Sequence, residues 1–159
     1  RKEFSISKYF NELKVVPVAV SYEFDPNDIN KAIECAKTNQ GKDYIKSSNE
    51  DISSIAKGIT DKKGDVSINV GSPLKFVSDD SDQISDQITK SIRNLYEPHS
   101  TNYAEYIKSK NEILDHSFSE SKINESINYL ESRAMQLTKH EKEELYSQYY
   151  QCLIKKMGG

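Results

Sequence analysis

Lys14-Val15-Val16-Pro17-Val18-Ala19-Val20-Ser21-Tyr22-Glu23-Phe24-Asp25-Pro26 is the stretch on which the fold reading turns. It is the most apolar run in a polar chain, and its valines stand at both odd and even places. Apolar residues of both parities predict a strand covered on both faces, as in an α/β sheet. Pro17 cannot donate to a ladder, which places it near a strand start or on an edge. The run turns polar at Tyr22-Glu23 and meets a helix start at Asp25-Pro26. Carboxyl ends of strands in open α/β sheets are where ligands bind, so Tyr22, Glu23 and Asp25 form a candidate loop site. For Glu23 and Asp25 the competing reading is structural, since an aspartate before a helix is an ordinary cap.

Outward from the ribbon, Phe4, Tyr9, Phe10 and Leu13 predict a short preceding helix. Ile29, Ala32, Ile33 and Ala36 recur at helical spacing until Gly41. Ser48 and Asp51 have capping-box spacing before the stripe Ile52, Ile55, Ala56 and Ile59. Val66, Ile68 and Val70 alternate with polar residues and predict a half-buried strand ended by Gly71-Ser72-Pro73. From Ser81 onward the chain reads as helix. One stripe holds Ile84, Ile88, Ile92 and Leu95; another holds Tyr103, Tyr106, Ile107, Lys110, Ile113 and Leu114. A third follows Ser119, with Ile123, Ile127, Leu130 and Ala134. The last follows a capping box from Thr138 to Glu141, with Leu145, Tyr149, Cys152 and Leu153. The fold expectation is α/β: a partial sheet flanked by helices over residues 1–78, then a mostly helical lobe over 79–159.

The chain has 159 residues with a formal net charge of −3. Residues 1–80 hold 12 of the 22 basic and 13 of the 25 acidic side chains, so no basic face marks a nucleic-acid partner. No run is long enough to cross a bilayer and no signal peptide is evident, and two distant cysteines, Cys35 and Cys152, predict a reducing, cytoplasmic setting. The first residue is Arg1 and not methionine, which reads as a piece of a longer protein. His99, His116 and His140 lie in polar settings and read as surface residues. No metal spacing, Gly-x-Ser-x-Gly elbow, P-loop or dinucleotide glycine fingerprint is present, and no cofactor is implied.

The order of motifs resembles one family. The ribbon Val15 to Pro26 is similar to the last block of the glycerolipid acyltransferases, of the 1-acylglycerol-3-phosphate type. In a bacterial branch of that family, a Val-Pro-Val strand runs into a Tyr-Glu-x-Asp-Pro turn. Tyr44-Ile45-Lys46, Glu50-Asp51-Ile52-Ser53-Ser54-Ile55, Gly58, Lys63-Gly64-Asp65-Val66, Gly71-Ser72-Pro73-Leu74 and Asn102-Tyr103-Ala104 follow in the same order. The likeness covers about residues 8–107. It implies a fatty acyl donor (acyl-CoA or acyl carrier protein), a glycerol-phosphate-type lipid acceptor and peripheral membrane contact at the inner face for the full-length protein. It also implies that Val16, Pro17 and Val18 line the acyl pocket.

The family's catalytic His-x-x-x-x-Asp is absent. Five residues after His99, His116 and His140 stand Ala104, Ser121 and Leu145, and the Pro-Glu-Gly block is missing too. The expectation is therefore a C-terminal portion, inactive alone, with its catalytic residues upstream of Arg1. The alternative expectation is a non-enzymatic α/β-helical binding or assembly module.

Overall fold

The computed structural model describes residues 5–158, so Phe4 lies outside the described residues. Among the described residues, seven helices and two strands follow one another. They are α1 (Ile6–Leu13), β1 (Val18–Tyr22), α2 (Asp28–Asn39), α3 (Glu50–Thr60), β2 (Val66–Val70), α4 (Ser81–Leu95), α5 (Ser100–Lys110), α6 (Glu120–Ala134) and α7 (Lys139–Met157). Several ends are set by local chemistry. Ser119 accepts the Lys122 N–H at 3.2 Å, and Glu141 accepts the Thr138 N–H at 2.8 Å. Gly41 follows α2 with φ of 69°, a conformation that suits glycine.

The α/β expectation is overturned. The described residues are mostly helical and hold a single two-stranded sheet, β1 beside β2. Glu23 N–H donates to Asp65 O at 2.9 Å and Gly71 N–H to Pro17 O at 2.9 Å, which makes the pair antiparallel. Val18 then faces Val70, Val20 faces Ile68 and Tyr22 faces Val66. The misreading has a definite source. Val15 and Val16 precede the strand, and within Val18–Tyr22 burial strictly alternates. Ala19 and Ser21 are buried, whereas Val18 and Val20 face outward. In β2 the phase is likewise inverted: Val66, Ile68 and Val70 are exposed, and Ser67 and Asn69 are the half-buried residues.

The contacts divide the chain into two units. One comprises residues 1–21, 67–97 and 155–159. Here Phe10 packs on the buried Phe76 with ring centroids 5.6 Å apart. Asn11 donates to Phe76 O and accepts from Phe76 N, both at 2.8 Å. Ser21 Oγ donates to Glu97 O at 2.7 Å, and Asn69 Nδ2 to Leu95 O at 2.8 Å. The sheet's inner face, where Ala19 is also buried, is thus tied by polar bonds from Ser21 and Asn69.

The other unit comprises residues 22–66 and 98–154. Its apolar core is Ala32, Leu130, Ala134, Leu145 and Tyr149, bordered by Tyr129, Leu137 and Tyr146. Of the stripes foreseen on α6 and α7, Leu130, Ala134, Leu145 and Tyr149 belong to this core; Ile123 and Leu153 are buried outside it, and Ile127 and Cys152 are half-buried. On α5 the buried residues are Ser100, Thr101, Asn102, Ala104, Glu105 and Tyr106. The expected Tyr103 and Ile107 are only half-buried.

Candidate functional site

Two places carry the sequence candidates. The first is the ribbon itself. Pro17 is buried and its carbonyl accepts from Gly71, while Val16 and Val18 are exposed. Val20 is 52% exposed and Ile68 65%. These side chains sit on one face of a sheet whose other face is fixed by Ser21 and Asn69. Next to the ribbon's start, Leu74 N–H donates to Val15 O at 2.8 Å. A cavity of about 560 Å³ opens there, lined by Pro73, Leu74, Phe76 and Val77 together with Lys14 and Lys75. It is an apolar recess with two cationic groups in its wall.

The second place is the Tyr22–Pro26 turn. Tyr22 is half-buried and Glu23 is buried. Glu23 accepts from Lys122 Nζ at 2.8 Å, Ser100 Oγ at 2.8 Å and Asp65 N at 3.2 Å. Its carbonyl accepts from Thr101 Oγ1 at 2.7 Å. Burial by itself pushes a carboxyl up, but the hydrogen bonds from Lys122, Ser100 and the Asp65 N–H outweigh it and hold Glu23 below the ordinary range. The Glu23 hydrogen bond in turn raises Lys122. Gly64, with φ of 67°, presses against this side chain. A Cβ there would lie 2.8 Å from both Glu23 Cβ and Phe24 Cδ2.

Ser126 Oγ donates to Ser100 Oγ at 2.8 Å, which continues the chain of hydroxyls to Glu23. The geometry is that of a tie and not of a proton relay. An ionised, lysine-paired carboxylate is a poor base, and Ser126 is itself buried.

Asp25 Oδ1 accepts from Asn27 N at 2.9 Å, and its Oδ2 accepts from Lys31 Nζ at 2.5 Å. Those bonds lock the turn ahead of α2. The next carboxylate, Asp28, in the first turn of α2, is fully buried. Arg133 Nε donates to its two oxygens at 3.1 and 3.3 Å, Arg133 Nη2 also donates to it, and Tyr149 Oη donates to Oδ2 at 2.9 Å. Burial, then the Asp28 charge, push the Tyr149 hydroxyl far up. Asn102 Nδ2 adds a bond to Tyr149 O at 2.9 Å. Sequence reasoning missed this polar centre. Its one signal was the run Ser100-Thr101-Asn102, too polar for the inner side of an ordinary helix.

The histidines divide. His99, expected at the surface, is 5% exposed ahead of α5, with its N–H donating to Asn102 Oδ1 at 2.7 Å. Its place between the buried Pro98 and the buried first turn of α5 accounts for that. His116 lies against the rings of Tyr103 and Phe118. His140 is exposed beside Glu143. The described residues contain no group of three His, Cys, Asp or Glu side chains able to hold a metal, and no helix long and apolar enough to cross a membrane.

The chain matches no protein-family profile, and neither a curated protein nor a solved structure is significantly similar to it.

Proposed function

We propose that this chain is the C-terminal, non-catalytic part of a glycerolipid acyltransferase. It holds the fatty acyl group of an acyl-CoA or acyl carrier protein donor, and residues outside it supply the histidine–aspartate chemistry on a glycerol-phosphate-type acceptor. The observation that carries this reading is the outward apolar face that Val16 and Val18 form on either side of the buried Pro17, continued by Val20, Ile68 and Val70. A flat β-branched surface excludes water along an alkyl chain. The nearby recess, with Lys14 and Lys75, suits an acyl tail ending in an anionic group. The ordered motifs from Tyr22 to Ala104 support the same reading. In this role Glu23 and Asp25 position the ribbon's exit and take no part in proton transfer.

The test is direct binding of a fluorescent fatty acid to the purified chain, read alongside an acyl-transfer assay. Binding without turnover is expected, and Val18→Asp with Ile68→Asp abolishes the binding. Turnover by the chain alone, or binding indifferent to both substitutions, overturns the reading.

A second reading, a non-enzymatic assembly module, is favoured by α3, whose isoleucines all face water. Fatty-acid binding distinguishes the two.

A further inference from the structure

Helix α1 borders two cavities, and a pair of rings stands between them. Asn11 and Lys14, at its C-terminal end, line the recess of about 560 Å³ already described, together with Phe76. Ile6 and Phe10, earlier on the same helix, line a second cavity of about 300 Å³ with Ile84, Ser85 and Ile88 of α4. Phe76 belongs to the first lining and Phe10 to the second, and their rings meet with centroids 5.6 Å apart. The ring pair is therefore the partition between the two.

The segment that carries Phe76 is clamped from both helices. Asn11 of α1 closes two 2.8 Å bonds on the Phe76 main chain, and Gln87 Nε2 of α4 donates to Lys75 O at 3.0 Å. Asp79 Oδ1 accepts from Ser7 N at 2.8 Å. Phe76 is buried behind these ties, whereas Phe10 is half-buried, so Phe10 is the side of the partition that a substitution can open. Charge also differs between the two cavities. Lys14 and Lys75 stand in the first lining, and no charged residue stands in the second. A ligand with an anionic end thus keeps that end in the first cavity and presents its alkyl end to the rings. The reverse entry would bury a charge among isoleucines with no partner.

We propose, resting on the acyl-binding reading, that the Phe10–Phe76 pair sets the length of acyl group that the recess accepts, with Phe10 as the residue that selects among chain lengths. An alkyl chain gains about fourfold in affinity for each methylene it takes out of water. That gain stops where the methyl end meets the rings. A small side chain in place of Phe10 joins the two cavities, and the gain then runs on through longer acyl groups.

Dissociation constants for saturated fatty acids of graded length test this on the 159-residue chain. They are measured by displacement of a fluorescent fatty acid, with circular dichroism checking that each variant folds. For the wild type, affinity is expected to rise about fourfold per methylene and then level off. Phe10→Ala moves the plateau to longer acids, and Phe10→Leu, the milder opening, moves it less. Ser85→Trp added to either fills the second cavity and returns the plateau toward the wild-type length. Lys14→Gln with Lys75→Gln weakens binding at every length and leaves the plateau in place. A wild-type series with no plateau, a plateau that both Phe10 variants leave unmoved, an extension that Ser85→Trp does not reverse, or a plateau displaced by the lysine substitutions each overturns the proposal while the acyl-binding reading stands. Fatty acids that bind at no length overturn both, so the two failures are told apart.

Discussion

Glu105 is the least comfortable carboxyl among the described residues. It is 1% exposed; Oε1 accepts from Ser109 Oγ at 2.6 Å, and Oε2 meets no hydrogen-bond donor. Burial pushes its pKa up, only partly countered by Ser109 and by the charge of Lys108, and Glu131 adds to the rise. A carboxyl whose folded pKa lies above its unfolded one favours the fold in its protonated form. The contribution is full below the unfolded value and is lost as pH rises through the folded one. Glu105→Gln is therefore expected to gain about 1 kcal/mol near pH 7 and nothing in acid, where the wild-type group is already neutral. Urea midpoints measured from acid to neutral pH check the sign. The two positive-φ glycines offer a paired test. Gly64→Ala forces a methyl into Glu23 and Phe24 and is expected to cost about 3 kcal/mol or more. Gly41 has nothing within 4 Å of the added carbon, so Gly41→Ala costs only the left-handed penalty of about 1 kcal/mol. Equal losses in chemical denaturation would refute the close packing around Glu23.

Among the elements, the sheet gives the sharpest expectation. Ser21 is buried and bonded to Glu97, and Val20 beside it faces out. Ser21→Val is expected to destabilise by about 1–2 kcal/mol, because the Glu97 carbonyl loses its donor. Val20→Thr is expected to change stability by no more than about 0.5 kcal/mol. A conventional sheet with valines inside predicts the reverse order, and unfolding curves for the two variants separate the cases. This inversion also explains what was legible from residues alone. Helix ends at Ser119, at Thr138–Glu141 and at Gly41 follow from chemistry within a few residues. Alternation of apolar and polar residues was also readable in β2, and periodicity in α3. Neither fixes which face turns inward, because that depends on what the other face can bond. Ser21, Asn69 and Ser54 O find partners far along the chain. Asp28 was hidden for the same reason: its guanidinium partner lies 105 residues away.

For the chain as a whole, the unit boundaries matter most. One unit is assembled from three separated segments and the other from two. Cutting after residue 78 removes α4 from the first and α5 to α7 from the second. The piece 1–78 is expected to show no cooperative thermal transition by circular dichroism, whereas the full chain melts cooperatively. A sharp transition in the short piece would mean that the β1–α3 region stands by itself.

The anchoring of Glu23 bears on how the molecule is made. Its hydroxyl partners, Ser100 and Thr101, lie 77 and 78 residues downstream, and Lys122 comes later still. At ordinary ribosomal speed the turn waits roughly 5–20 seconds for them to be translated. Until then a carboxylate destined for the interior stays hydrated, and the nascent ribbon hangs beside its exposed valines with nothing to hold its exit. The delay is set by synthesis and not by loop closure, whose entropic cost grows only slowly with loop length.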